Sequence, residues 1–339
     1  MSAVSKLQAA WLQRGWLAWL LLPISCLYGL VVALRAICYR LGLMQSIKLP
    51  VPVIVVGNLV AGGAGKTPTT IALVRLLREH GFHPGVLSRG FGRKSLEVAL
   101  ISRDTPTDIA GDEPLLIHLR TDAPVVVSAD RIAGGQALLK SAPSVNILIS
   151  DDGLQHRRLA RDVQVIVFDE RGIGNGWLLP AGPLREPALR TVPPRSIVLY
   201  NAPAPSTTLR GHQVGRRLSG LASLSDWWAG QPARADAFIQ LSGREVLAAA
   251  GLARPQRFFD MLRAQGLSIS ELSLPDHHNF ATLPWPTDTP DVVVTEKDAV
   301  KLEPTAMGST RVWVATLDFD LSPAFANELM QWLPPNDKP

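Results

Sequence analysis

The chain opens with an uninterrupted apolar stretch. No residue from Trp16 to Leu34 is charged, a run of 19 positions, close to the roughly 20 that a helix needs to cross a hydrocarbon core. Lys6 and Arg14 flank it on one side and Arg35, Arg40 and Lys48 on the other, while Trp11, Trp16, Trp19, Tyr28 and Tyr39 add rings suited to headgroup depth. Pro23 would kink a spanning helix. Three placements are open: a membrane span, a helix lying in the interface with its basic flanks on anionic lipid, and a buried core helix. No small-x-small cleavage site follows, which argues against a signal peptide.

Beyond residue 45 the pattern changes to short β-branched runs separated by helical periodicity. Strands are predicted over 51–56, 85–87, 125–128, 145–150, 163–168 and 197–200, with a helix over 70–80. Such alternation predicts an α/β fold, a mostly parallel P-loop NTPase-like sheet covered by helices. Prolines at 193–194, 203 and 205 predict a boundary near residue 200. Alternation then resumes with a predicted strand over 237–241, a helix over 255–265, and strands over 267–272, 292–294 and 311–315. The expected organisation is an anchor (1–45), a nucleotide-binding core (46–200) and a second, smaller α/β domain (201–339), since 339 residues exceed one ordinary domain.

Composition agrees with a folded protein: 47% of residues are hydrophobic and no low-complexity tract occurs. A net charge of +5 favours an anionic contact, whether a bilayer, nucleotide phosphates or nucleic acid, or else reflects scattered surface Lys and Arg. The two cysteines, Cys26 and Cys38, would stand roughly 18 Å apart on a helix, beyond disulfide reach. They also lack metal-site spacing.

The predicted strand at 51–56 runs into Gly57-Asn58-Leu59-Val60-Ala61-Gly62-Gly63-Ala64-Gly65-Lys66-Thr67 and then a helix, the context of a phosphate loop. Gly62, Gly63, Ala64 and Gly65 let backbone N–H groups turn in on phosphate oxygens, Lys66 reaches the β- and γ-phosphates, and the Thr67 hydroxyl can bind Mg²⁺. The usual G-x-x-x-x-G-K-[ST] spacing puts its first glycine at position 60, where Val60 stands, so a differently shaped loop is expected. Asp151 and Asp152 end the 145–150 strand and are hard oxygen donors suited to Mg²⁺. His156 follows closely enough to approach the same site.

Arg89 and Arg93 in S-R-G-F-G-R, Arg131 after the next strand, and Arg185 are candidate clamps for phosphate or an anionic substrate. Each also reads as an ordinary ion-pair arginine. Asp112 reads as a cap for a helix beginning near Pro114, and Thr295 as the start of another whose polar cluster, residues 295–298, either caps that helix or faces the interdomain cleft.

Eight segments in one order, G-N-L-V-A-G-G-A-G-K-T-P (57–68), S-R-G-F-G-R (88–93), G-D-E-P (111–114), D-D-G-L-Q-H (151–156), L-P-A-G-P-L-R-E-P (179–187), G-L-A-R-P-Q-R-F-F (251–259), D-H-H-N-F (276–280) and T-E-K-D-A-V-K-L (295–302), resemble the tetraacyldisaccharide 4'-kinase (lipid A 4'-kinase) family. The shifted loop glycines and an apolar amino-terminal helix are both expected of that family. The resemblance implies transfer of the γ-phosphate of ATP, with Mg²⁺, to the 4'-position of a tetraacylated glucosamine disaccharide 1-phosphate. It implies the inner membrane as location, with the catalytic domains on the cytoplasmic face. It also implies catalytic roles for Asp112 and His277, which lie 165 positions apart.

Two other classes compete. A membrane-surface regulatory NTPase or metal-insertion GTPase should carry an N-K-x-D guanine reader, and none is present. A nucleic-acid-acting ATPase suits the positive charge, but the basic residues are dispersed, so nucleic acid is not expected as a partner.

Overall fold

The computed structural model describes residues 9–93 and 95–335; Lys6, one flank of the apolar stretch, lies outside them. Strands β1 (Val53–Gly57), β2 (Pro84–Ser88), β3 (Ala99–Leu100), β4 (Val125–Val127), β5 (Ile147–Ser150), β6 (Val163–Asp169), β7 (Ser196–Asn201) and β8 (His212–Gln213) form one eight-stranded sheet. Its order is β3-β4-β2-β5-β1-β6-β7-β8, parallel except where β3 meets β4. Strands β1, β2, β4 and β5 are buried at every position, as a sheet covered on both faces requires.

A second, five-stranded sheet contains β9 (Gly215–Ser223), β10 (Glu245–Ala250), β11 (Ser268–Ser273), β12 (Asp291–Thr295) and β13 (Arg311–Asp320) in the order β11-β10-β12-β13-β9, with β9 antiparallel. The sheets divide at residue 214 rather than near 200, because β8 still pairs with β7. The predicted strand over 237–241 is instead a helical turn, Ala237–Gln240. Ala237, Phe238 and Leu241 are its buried positions, a helical spacing too short for periodicity to separate from a strand.

Among the described residues six longer helices occur, α1 (Trp16–Arg40), α2 (Lys66–Glu79), α3 (Asp112–Thr121), α4 (Arg131–Ser141), α5 (Gln256–Ala264) and α6 (Pro323–Trp332), of which α2 to α6 pack on the sheets. One continuous apolar core joins Ile71 and Leu73 of α2 and Leu115 and Ile117 of α3 to Val292, Val294 and Val314 of the second sheet. The two units are therefore packed on each other through α2 and α3. Helix α6 returns to the first sheet, where Glu328 meets His212 Nε2 at 2.7 Å.

Helix α1 is not a core helix, since only Ala18 and Ser25 are buried along it. Ser25 Oγ donates to the Leu178 carbonyl (2.8 Å) and Tyr28 OH to the Arg185 carbonyl (2.7 Å). Gly29 sits so close to Leu178 that a Cβ there would stand 2.9 Å from its Cδ1. The opposite face, Trp16, Leu20, Ile24, Leu27, Val31 and Leu34, is exposed, with Trp16 at 79% and Leu27 at 65%. Cys26 and Cys38 are both free.

Candidate active site

The sheet order explains why distant segments meet. Strands β4, β2, β5, β1, β6 and β7 are consecutive neighbours and all parallel, so the loops leaving their carboxyl ends line one edge. That edge carries, in spatial order, Arg131, Arg89, Asp151 and Asp152, the phosphate loop, Asp169, and Asn201.

The phosphate loop departs from the usual spacing for a visible reason. Val60 is fully buried and forms an antiparallel bridge with Leu184, so position 60 is extended backbone and needs no glycine. The positive-φ positions are Gly62 (95°) and Gly65 (93°), immediately before α2. At Gly65 a Cβ would stand 2.3 Å from Asn201 Nδ2, which donates to the Ala64 carbonyl at 2.9 Å. Arg171 braces the other side, donating to the carbonyls of Ala61 and Gly63 at 3.0 Å each while Asp169 holds its Nε at 2.9 Å. With these carbonyls braced and the Ala61 N–H bonded to the Pro183 carbonyl at 2.7 Å, the loop is held in shape at the start of α2, where a helix N-terminus suits an anion.

Lys66 is nearly buried and lies 3.6 Å from Asp152 Oδ1 and 3.4 Å from Asn58 Oδ1. Burial raises the Asp152 carboxyl, but Lys66 and then Arg185, 3.0 Å away, outweigh it and hold it below the usual carboxylate range. Asp151 is fully buried; desolvation, with Glu113 and Asp152 nearby, pushes its carboxyl up to about 7. One oxygen of Asp151 accepts from Thr70 at 3.0 Å and the other, Oδ2, is buried with no hydrogen-bond partner among the described residues. An unpartnered, buried carboxylate oxygen whose desolvation Lys66 and Thr70 do not offset, next in sequence to Asp152, fits an oxygen-ligated divalent cation such as Mg²⁺.

The second constellation joins the two units. His277 Nδ1 lies 3.2 Å from Asp112 Oδ2, with His277 in left-handed backbone at φ 59°. Lys297 Nζ is 3.2 Å from His277 Nε2 and Lys301 Nζ is 3.4 Å from Asp112 Oδ2. A lysine donating to Nε2 leaves Nδ1 as the protonated nitrogen that donates to Asp112. Burial raises the Asp112 carboxyl, yet the His277 hydrogen bond and Lys301 bring it below its ordinary value. Asp112 does not cap its helix: Gly111 occupies that position and no side chain bonds there. Thr295 does cap the short helix Glu296–Ala299, and that turn also delivers Lys297 to His277, so both expectations for this segment hold.

The candidate clamps are placed differently. Arg131 is buried, its guanidinium donating to the Ser128 carbonyl at 2.6 Å and lying 3.5 Å from the Asp151 carbonyl, so it supports the acidic turn from beneath. Arg185 is spent on Asp152 and Gln155. Arg89 is exposed, and both terminal nitrogens of Arg93 are buried without a partner among the described residues. Burial, reinforced by Arg131, drives His156 down to about 4, and its Nε2 is likewise without a partner.

A cavity of about 470 Å³ adjoins the loop. Gly62 to Pro68, Glu113, Asn201, Arg254, Phe258 and Lys297 are among the residues that line it, so both units contribute. Arg171, Asn201 and Lys297 went unassigned from sequence. Each stands at a strand end, and only the spatial order of strands shows which ends are neighbours.

Comparison with known proteins places the chain in a family. The family model described as LpxK, tetraacyldisaccharide-1-P 4'-kinase, matches residues 17–334. The tetraacyldisaccharide 4'-kinase of Methylibium petroleiphilum is 57% identical over 320 residues, covering 93% of this chain and 89% of that one. That of Leptothrix cholodnii is 53% identical over 334 residues, covering 97% and 96%. A crystal structure of LpxK from Aquifex aeolicus in complex with ATP superposes with a TM-score of 0.77 at 30% identity, covering 94% of this chain and 99% of that one. By sequence and by fold, the chain belongs to the tetraacyldisaccharide-1-P 4'-kinase family.

Proposed function

We propose that this chain is an ATP-dependent kinase that phosphorylates the 4'-hydroxyl of a tetraacylated glucosamine disaccharide 1-phosphate, a lipid A precursor, at a membrane surface. The observation that carries the reading is the 3.2 Å contact between Asp112 and His277, made across two units that both line the cavity beside the phosphate loop. Phosphoryl transfer asks the protein for positioning and charge neutralisation more than for covalent chemistry. Residues 62–67 hold the triphosphate, with Lys66 reaching its β- and γ-oxygens. Thr67, Asp151 and Asp152 are the residues that would hold Mg²⁺, which supplies neutralising charge to the transferring group when bound. Asp112 accepts the proton of the sugar hydroxyl, and His277, fixed by Lys297 from behind, orients that carboxylate. Exposed Arg89 and half-buried Arg93 remain free to meet the acceptor's own negative charge.

Helix α1 supports an interfacial attachment rather than a span. A helix bonded along one face to the Leu178 and Arg185 carbonyls cannot also be surrounded by lipid, whereas its opposite apolar face is open to a bilayer. The segment it grips, 178–185, also bridges to Val60, so the attachment and the phosphate loop share one support. With ATP as donor, the catalytic units lie on the cytoplasmic face of the inner membrane. The test is transfer of labelled γ-phosphate from ATP into organic-extractable lipid: label should enter only with the disaccharide acceptor present. Acceptor-independent ATP hydrolysis with no labelled lipid would favour a regulatory NTPase.

A further inference from the structure

Away from the reacting groups, the two units are joined by a group of charges, buried at Arg120 and Glu296, that the reading above does not use. Arg120, in the last turn of α3, donates from Nη1 to Glu296 Oε2 and from Nη2 to Asp318 Oδ1, both at 2.5 Å. Arg75 of α2 donates to the same Asp318 oxygen at 2.7 Å. Glu296 is further fixed by the Trp227 indole N–H at 3.2 Å and the Leu317 backbone N–H at 3.1 Å. Arg120 and Glu296 are 9% and 6% exposed. Both guanidiniums belong to the first unit and both carboxylates to the second, so the group is neutral only while the units are docked.

Its place in the chain gives this group a reach into the site. Arg120 shares a ten-residue helix with Asp112, which stands at that helix's first position. Glu296 is the residue before Lys297, whose ammonium touches His277. A shift of α3 against the second sheet would therefore separate Asp112 from His277 and Lys297 together. A buried ion pair is weak support for stability, because desolvation offsets its attraction, but breaking one partner is costly and the geometry allowed is narrow. A planar guanidinium holds its two donors at a fixed angle on the two carboxylates, an orientation that the freely rotating ammonium of a lysine does not impose.

We propose that Arg120 is a positioning residue for phosphoryl transfer, clamping α3 to Glu296 and Asp318 so that Asp112 stays in register with the His277–Lys297 pair. This rests on the reading of Asp112 as proton acceptor. Arg120→Lys keeps the charge and loses the fork. It should lower kcat about 10-fold with KM for ATP nearly unchanged. Because the His277 contact helps hold Asp112 low, loosening it should also move the acidic limb of the kcat–pH profile upward.

The deciding experiment is a cycle of Arg120→Lys and Asp112→Asn measured on full-length protein with ATP and the disaccharide acceptor, with thermal melts alongside. If Arg120 acts through Asp112, Arg120→Lys should have almost no further effect once Asp112→Asn is present. Losses that multiply, or an unmoved acidic limb with only a lowered Tm, would overturn the proposal. Full activity of Asp112→Asn alone would instead remove the dyad reading. Should Arg120→Lys not fold, Glu296→Gln weakens the same clamp while retaining its shape, and carries the same cycle with the same two outcomes.

Discussion

The phosphate loop and the Asp112–His277 pair are built in opposite ways, although the loop and the pair's neighbours Glu113, Asp276 and Lys297 line one cavity. The loop is one contiguous segment whose shape is set by two positive-φ glycines and braced by Arg171 and Asn201 from neighbouring strands of a single sheet. The pair has no local determinant. It exists because α3 and the 276–280 loop, from different units, are pressed together over a shared core and a buried charge cluster. A contiguous site can bind nucleotide whether or not the units are aligned, whereas a site assembled across a junction functions only when they are. Nucleotide affinity and transfer should therefore be separable by mutation.

The harshest probe of that separation is Lys66→Ala, which removes the charge proposed to meet the triphosphate. Activity should fall by about 10³-fold, with weaker ATP binding. Near-normal turnover would refute the loop as the nucleotide site. On the other side, Asp112→Ala and His277→Ala should each lower kcat by about 10²-fold while equilibrium ATP binding stays close to that of the unmodified protein. A matching loss of ATP affinity would mean the two regions are not independent. Arg171→Ala sharpens the loop side alone: freeing the Ala61 and Gly63 carbonyls should raise KM for ATP about 10-fold and leave kcat nearly intact. The smallest effect concerns pH. Asp112 and Asp318 are both held below their ordinary values in the folded chain. The stability they contribute is thus fully present above the ordinary carboxylate range near about 4 and is lost as pH falls through the lower folded values. Thermal melts should show a Tm loss below about pH 4 that is smaller in Asp318→Asn, while between about pH 7 and 4 Asp151, pushed up to about 7, and His156, pushed down to about 4, pull stability in opposite directions. An acid loss of Tm that is unchanged in Asp318→Asn would place the titrating groups elsewhere.

What could be read in advance follows the same division. The loop, Lys66, Thr67 and Asp151–Asp152 were legible because strand, glycine run and helix are adjacent in sequence and their chemistry depends on spacing. Val60 looked anomalous until its bridge to Leu184 showed that the residue belongs to an extended segment. Asp112 and His277 were reachable only by family likeness, since no periodicity relates residues on different units. The braces Arg171 and Asn201 were hidden by strand order, and Arg131 looked available because a sequence does not report that its guanidinium is buried against Ser128. The 237–241 segment failed for lack of length, one turn being too short to show a period. The apolar stretch at 16–34 gave length but not orientation, which depends on the polar bonds that one face of α1 makes to residues 178–185.

The central claim is that Asp112 and His277 act as one unit in moving phosphate to the acceptor. The measurement that tests it most directly is single-turnover transfer of labelled γ-phosphate to the disaccharide acceptor, at saturating ATP, by the unmodified chain, Asp112→Ala, His277→Ala and the double variant. The account predicts that the double variant is no slower than the slower single one, because removing either partner already disables the pair. Two single losses that multiply in the double variant would contradict it.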